Sequence, residues 1–334
     1  MPRLEDVAQR AQVSISTASR ALSRPELVAA ETVGRVLKAA RELGYQPNQV
    51  ARSLRTRVNQ TIGLLVSDIL NPFHATLAKG LQDAAFDHGY HLLLCNTDED
   101  PTKEAAYLRL FQSNQLRGFV IVPTERSRRL LQEFSDIPVV EADRTSGLPN
   151  LHAVLADNLS GTRQAVEHLI QLGHRKIAII AGKPDVTTGV ERLEGYLQTM
   201  RAFGLEVNPR WIVHGNHREE GGYRAARELL NLPPNDHPTA WFVINNEMTA
   251  GAVRAIREAG LHIPKDLSIV GFDDSRWAQL MDPPLTVVDQ PAYDLGYTSG
   301  EILFKLFERA SPPPKVVRLH TQLVVRSSTA PPST

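Results

Sequence analysis

The stretch LEDVAQRAQVSISTASRALS, residues 4–23, decides how the rest of the chain is read. Leu4, Val7, Ala8 and Ala11 recur at helical spacing, which predicts a short helix over Leu4–Arg10 with one apolar stripe. Gln12-Val13-Ser14 turns the chain, and Ser14 or Ser16 is placed to cap a second helix running to about Leu22. That helix turns Ile15 or Ala18 and Leu22 inward and leaves Ser16, Thr17, Ser19 and Arg20 outward. A face of small hydroxyls with one arginine fits a major groove, where hydroxyls approach phosphates or base edges and arginine forks onto guanine. A plain helical hairpin would show the same two helices, so the following segments carry the decision.

Residues 30–43 predict a third amphipathic helix with Val33, Val36, Leu37, Ala40 and Leu43 on its inner stripe. Gly44 suits its C-cap, and Pro47 forbids continuation. Asn48–Arg55 follows, a helix-compatible piece too short to be stable alone.

Charge is unevenly spread along the 334 residues. Residues 1–57 carry ten Lys/Arg against five Asp/Glu, and the remainder carries 27 against 32. A basic head on an acidic body is the electrostatic footprint of a nucleic-acid reader. The single cysteine, Cys95, lies in an apolar run and excludes a disulfide framework or a CxxC metal site. The start of the chain has no apolar signal-peptide core and no apolar run is long enough to span a bilayer, so a cytoplasmic protein without membrane association is expected.

From Thr61 onward, short β-branched runs alternate with helical stretches. TIGLLVSD, HLLLCN, GFVIVP, PVVEAD and AVLAD form one series; KIAIIAG, WIVHG, AWFVIN and LSIVGFD form a second. The intervening helices are expected near 75–87, 103–113 and 130–134, then near 159–172, 192–203, 222–230 and 249–259. Apolar strands separated by helices argue parallel sheets covered on both faces, and two series in tandem argue two doubly wound α/β lobes. Pro149-Asn150 and Pro283-Pro284 are candidate places for the chain to cross between lobes.

Ligands of such sheets bind beyond the carboxyl ends of the strands, and a second lobe turns that crevice into a cleft. The strand ends are Ser67-Asp68, Pro123-Thr124, Asp143-Arg144, Asn245-Asn246, Asp273-Asp274 and Gln290, polar groups able to hold a polyol. Arg144 and Arg192 are able to fork onto a carboxylate or phosphate. His214 and His217 make an HxxH near Glu219 and Glu220, but on a loop without fixed geometry, and no metal site is expected there. No phosphate-cradling GxxxxGK[ST], GxGxxG, GxSxG or HExxH is present, and no catalytic residue or cofactor is assigned.

DVAQRAQVSISTASRAL and LGYQPNQVARSLR, then NPFH, DNLSGTRQAVEHLIQLGHRKIAII, ERLEGY, IPKDLSIVGFDD and PPLTVVDQP, occur in the order of one family. The chain resembles the lactose/galactose-repressor (LacI/GalR) family of bacterial transcription regulators over nearly its whole length. The resemblance implies an all-α helix-turn-helix head, residues 1–47, and a hinge helix with linker, residues 48–59. The body, residues 60–334, would be a two-lobed, doubly wound α/β, periplasmic-binding-protein-like domain that binds an effector and dimerises. Its first lobe would hold about 60–157 plus 291–320, its second about 158–290 plus 321–330, with the last helix, near 293–309, returning to the first lobe.

By the same resemblance, Phe73, Asp143, Arg192, Asn245, Asp273 and Gln290 match effector-contacting positions, joined by Arg144 and by His217, where the family often has an aromatic. Imidazole there would stack on a sugar more weakly or in a pH-dependent way. Asn246 stands where the family usually has aspartate, which removes a carboxylate at or beside the cleft. Ser14, Ile15, Ser16, Thr17, Ser19 and Arg20 become candidates for operator contact. In the hinge the candidates are Asn48, Arg52, Leu54 and Arg55; the family's paired hinges insert a leucine into the minor groove, and Leu54 holds that place. Ala29 lacks the capping hydroxyl common before the third helix, a difference of about 1 kcal/mol.

The function implied is a dimeric regulator reading a pseudo-palindromic operator, most simply a repressor of carbohydrate uptake or catabolism genes. Its effector would be a sugar, with the two arginines and the absent carboxylate leaning toward a sugar acid or sugar phosphate. A purine or other metabolite corepressor is the alternative, and a periplasmic sugar-binding protein, which would lack the head, a distant one. The tail LVVRSSTAPPST has no heptads, so a coiled-coil tetramer is not expected.

Overall fold

The computed structural model describes residues 2–45, 60–134, 137–308 and 313–333. They fall into two compact units, one within residues 1–59 and one beginning at Gln60. The hinge candidates Asn48, Arg52, Leu54 and Arg55 lie outside the described residues.

The first unit consists of α1 (Leu4–Arg10), α2 (Ile15–Ser23) and α3 (Ala30–Leu43). Its core is Val7, Ala8, Ala11, Ala18, Ala21, Val36, Ala39 and Ala40, mostly alanines, which lets three short helices approach closely. The α1–α2 turn places Gln12 in the left-handed region, and the Val13 N–H returns to the Ala8 carbonyl at 3.0 Å. Gly44 ends α3 in the same way at φ +63°, with the Tyr45 N–H on the Ala40 carbonyl at 2.9 Å. One inward assignment changes: Leu37 is 40 % exposed and Ala39 fills the inner stripe instead, while of the pair Ile15 or Ala18 it is Ala18 that turns inward and Ile15 is 49 % exposed.

The second unit holds two six-stranded sheets. The first comprises β1 (Thr61–Val66), β2 (His91–Asn96), β3 (Phe119–Ile121), β4 (Val139–Ala142), β5 (His152–Ala156) and β11 (Val316–Leu319). They lie in the order β11-β5-β4-β3-β1-β2, all parallel. The second comprises β6 (Ile177–Ala181), β7 (Ile212–His214), β8 (Ala240–Val243), β9 (Ser268–Phe272), β10 (Thr286–Asp289) and β12 (Gln322–Val324). Their order, β12-β10-β9-β8-β6-β7, repeats the first, except that β12 runs antiparallel to β10.

Helices α4 (Pro72–Asp87), α5 (Pro101–Ser113) and α6 (Ser127–Gln132) flank the first sheet. Around the second stand α7 (Asn158–Gln171), α8 (Thr187–Ala202), α9 (Glu219–Leu230), α10 (Asn246–Glu258) and α11 (Arg276–Leu280). The last helix, α12 (Ala292–Leu306), packs on α4, β4 and β5, and so returns to the first lobe. Gly80 and Gly296 make this packing possible: a Cβ on either would fall about 2 Å from a backbone oxygen of the facing helix.

Strand membership shows the chain passing between lobes three times, after β5, after β10 and between β11 and β12. Pro149-Asn150 and Pro283-Pro284 do not mark these passages. Each precedes a strand, β5 or β10, that still belongs to the lobe just built. Several helices also begin a turn earlier than their apolar pattern, α8 at Thr187 and α10 at Asn246, because polar first turns face the cleft.

Candidate functional site

Several parallel strands deliver the residues after their carboxyl ends to the space between the lobes. Ser67 and Asp68 follow β1, Asp143 and Arg144 follow β4, and Glu99 lies beyond β2. From the second lobe come Asn245 after β8, Asp273 after β9, Gln290 after β10, and Thr188 and Arg192 from the first turns of α8. The cavity they enclose measures about 460 Å³, its open mouth included.

All eight sequence-derived effector residues, Phe73, Asp143, Arg144, Arg192, His217, Asn245, Asp273 and Gln290, line this one cavity. Four other strand-end residues, Pro123 among them, do not. Thr124 takes part in the buried Glu104–Ser127 network, and Asp274 turns away to pair with Arg326 at 2.6 Å. Asn246 forms a reciprocal amide pair with Asn71 of the other lobe, its Nδ2 donating at 3.0 Å and its Oδ1 accepting at 3.1 Å. The carboxylate lost at this position is thus replaced by a neutral contact between lobes beside the cleft.

Asn71, His74, Glu99, Thr188, Asn216 and Arg218 also line the cavity and were not assigned to it from sequence. Asn71 and His74 sit within the NPFH motif and were within reach of that reasoning. Glu99 carried no signal.

The second lobe's charged groups are held in place by their own surroundings. Arg192 Nε donates to Asn158 Oδ1 at 2.8 Å, its Nη1 donates to the Ile244 carbonyl, and its guanidinium lies 3.6 Å over the Phe272 ring. Asp273 accepts from Gln290 Nε2 at 2.5 Å and from the Asn246 N–H at 3.3 Å. Burial pushes the Asp273 carboxyl up, with Arg192 opposing. Asn245 caps α10 by accepting the Met248 N–H at 3.0 Å, and its Nδ2 donates to the His217 carbonyl at 3.0 Å.

In the first lobe, Arg144 Nη1 reaches both oxygens of Glu99, at 2.8 and 3.1 Å, with both side chains buried. Burial opposes the Glu99 charge, but Arg144 outweighs it and the carboxyl falls to about 2. Asp143 makes only a longer ion contact, 3.6 Å from Arg144 Nε, and burial, the largest influence, pushes it up to about 6.

The two histidines of the cleft are neutral. His74 Nδ1 faces the Asp68 carbonyl at 2.9 Å and its Nε2 the Ser67 hydroxyl at 3.1 Å, and burial with Arg144 nearby lowers it to about 4. His217 Nε2 accepts the Lys183 N–H at 3.3 Å, and the same two causes lower it to about 3. The imidazole packs against Gly182, where a Cβ would come within 2.4 Å of it. The pH-dependent stacking expected of His217 therefore does not arise near neutrality.

Glu99, Asp143, His217 and Asp273 all adopt left-handed backbone, at φ +60°, +63°, +66° and +76°. Such conformations cost of order 1 kcal/mol each in a residue with a Cβ, and they concentrate where a structure aims side chains at a ligand. Three buried polar atoms of the cleft have no partner: Asp143 Oδ1, Arg144 Nε and Gln290 Oε1. A donor and two acceptors on residues that line the cavity thus lack hydrogen-bond partners.

Around the cleft, contacts join the lobes. Arg218 Nη2 donates to the Asp98 carbonyl at 3.1 Å, Thr187 Oγ1 to the Thr145 carbonyl at 2.8 Å, and Arg318 pairs with Glu191 at 2.6 Å. His214 Nδ1 lies 2.9 Å from the Gly182 carbonyl, and no cluster of ligands suited to a metal ion occurs among the described residues.

In the head, Ser14 caps α2, its Oγ accepting the Thr17 N–H at 3.1 Å, with the Ser16 and Thr17 hydroxyls each at 2.8 Å. Ile15, Ser16 and Arg20 are exposed, Thr17 and Ser19 half-buried. The side chain of Ile15 thus joins the outward face instead of the core.

Residues 59–324 match the family of periplasmic binding proteins and sugar binding domain of LacI family, and residues 3–48 match the bacterial regulatory proteins, lacI family. The HTH-type transcriptional repressor PurR of Aliivibrio fischeri is 33 % identical over 331 residues, 98 % of either chain. Among solved structures, the Lac repressor dimer bound to operator and the anti-inducer ONPF superposes with TM-score 0.89 at 27 % identity, covering 98 % of this chain and 99 % of that one. The transcriptional regulator CelR in complex with cellobiose superposes at 0.76 with 31 % identity, covering 98 % of this chain and 100 % of that one. With a basic helix-turn-helix head and a two-lobed body closing on a polar cleft, the chain belongs to the LacI family: it is a DNA-binding transcriptional repressor with an effector-binding domain, and not an enzyme.

Proposed function

We propose that the protein represses carbohydrate uptake or catabolism genes under the control of a small, hydroxyl-rich, sugar-like effector held between its lobes. The observation that carries this is the convergence of eight polar and aromatic side chains on one cavity whose open atoms are a donor and two acceptors. Hydroxyl groups, each both donor and acceptor, satisfy such a set; an apolar ligand does not. Two copies would read the two halves of a pseudo-palindromic operator.

The α2 face of Ile15, Ser16, Thr17, Ser19 and Arg20, capped by Ser14, would enter the major groove. Asn48, Arg52, Leu54 and Arg55 would order on DNA, with Leu54 entering the minor groove and the arginines adding phosphate contacts and salt dependence. The effector acts through its different affinity for the two lobe arrangements. Repressors named PurR among the relatives favour a second possibility, a purine corepressor in the same cleft.

A thermal-shift screen of the full chain against sugars, sugar acids, sugar phosphates and purines, followed by operator binding with and without each hit, tests both. A sugar that raises the melting temperature and changes operator affinity supports the first. Stabilisation by hypoxanthine or guanine alone replaces it with the second.

A further inference from the structure

Two buried arginines suggest a cleft made for an anion, but the charge of Arg144 is already paired and the donors of Arg192 are largely engaged. Arg144 gives one guanidinium nitrogen to both oxygens of Glu99, and Arg192 is engaged by Asn158 and the Ile244 carbonyl and stacked on Phe272. Against these two cations stand three buried carboxylates, Glu99, Asp143 and Asp273, while His74 and His217 carry no charge. The remaining charged groups, Asp68, Lys183 and Arg218, are partly or fully exposed to solvent, where water screens them. The buried interior therefore holds one carboxylate more than it has cations, and of the three it is Asp143, in only a 3.6 Å contact with Arg144, that keeps an oxygen without a hydrogen-bond partner.

The open atoms agree. Asp143 Oδ1 and Gln290 Oε1 are acceptors, and Arg144 Nε is a donor 3.6 Å from the same Asp143 carboxylate. One hydroxyl placed between Asp143 and Arg144 would donate to the first and accept from the second, and a further hydroxyl would donate to Gln290. A ligand carboxylate or phosphate presents acceptors only. It would set oxygen against oxygen at Asp143 in a site too dry to screen the repulsion.

We infer that the cleft admits uncharged, hydroxyl-bearing effectors and rejects their carboxylate and phosphate forms, and that Glu99 sets this selection by holding the Arg144 charge neutralised. This rests on the sugar-effector function proposed above. Glu99 acts on the ligand through Arg144 and is a positioning residue. Replacing its charge would free Arg144 to pair with an anion.

The experiment is calorimetric titration of the full-length protein with D-glucose, D-galactose and D-ribose, then with D-gluconate, D-galacturonate and ribose 5-phosphate. Hypoxanthine and inosine 5′-monophosphate form the purine arm. The wild type should bind an uncharged member at least about 100-fold more tightly than its charged counterpart. Glu99→Gln should narrow that ratio at least about tenfold through tighter binding of the anion. Asp143→Asn, which removes the surplus carboxylate and leaves the Glu99–Arg144 pair intact, should narrow it in the same direction and serves should Glu99→Gln fail to fold. A wild type that prefers the anion, or variants that weaken both members equally, would overturn the inference. Binding of hypoxanthine with no sugar response refutes the sugar function alone, and the charge rule is then read from the purine pair. Silence of every probe overturns both.

Discussion

The two lobes are built on one plan, six strands in matching order, yet they face the cleft differently. The second lobe presents groups whose bonds are mostly made, Gln290 Oε1 excepted: Arg192 is fixed by Asn158, a carbonyl and a ring, Asp273 by Gln290 and a backbone N–H, Asn245 by its helix. The first lobe pairs Arg144 with Glu99 and leaves Asp143 with an oxygen unpartnered. A rigid half fixes orientation, and a half with open valence does the choosing. Duplicated topology therefore does not imply duplicated duty.

Breaking the rigid half should have the largest effect. Arg192→Ala removes two hydrogen bonds and a stacked cation from full burial and leaves Asp273 without its neighbouring charge. A loss of about 3–5 kcal/mol is expected, measured by chemical denaturation, together with abolished effector binding. A loss under about 1 kcal/mol would show that the second lobe does not depend on this anchor.

In the choosing half, Asp143→Asn should act with the opposite sign. The folded chain keeps the Asp143 proton to about pH 6, whereas the unfolded chain releases it near the ordinary value of 3.8. Stability contributed by this group therefore falls as pH rises between those values, and the full penalty is present above about 6. At pH 7.5 the variant should be more stable by roughly 1–3 kcal/mol, at pH 3.5 no more stable, and its effector affinity should drop. Equal stability at pH 7.5 would show that the Arg144 contact fully offsets the burial of Asp143.

The smallest effect concerns the seam between the halves. Asn246→Asp leaves an acceptor for Asn71 Nδ2 but removes the donor to Asn71 Oδ1, and it sets a carboxylate beside Asp273. A loss of about 1–2 kcal/mol is expected, greater at pH 8 than at pH 5, again by denaturation. Insensitivity to pH would mean the new carboxylate finds solvent instead of Asp273.

Much of this architecture was legible because it rests on periodicity. Apolar runs of four to six residues marked the strands, and the rule that ligands lie beyond strand ends gathered Asp143, Arg144, Asp273 and Gln290 before any coordinates, with Arg192 added by the family resemblance of ERLEGY. What stayed hidden depends on contacts between residues far apart in sequence. Nothing in TDEDP announces that Glu99 meets Arg144, 45 positions later. Two strand ends of the same appearance, Thr124 and Asp274, turn elsewhere because nearer partners satisfy them. The passages between lobes were misplaced because proline marks a bend, and a bend does not reveal which sheet receives the next strand.

The interleaving of the chain also bears on synthesis. Strand β5 acquires its outer neighbour only with residues 316–319, and β10 only with 322–324. Both sheets thus keep a bare edge until those residues have left the ribosome, while the three-helix head has been complete since about residue 45. A nascent chain thus carries its complete three-helix head long before the effector-binding body can close either sheet, so the part that faces DNA and the part that senses a signal are finished at opposite ends of synthesis.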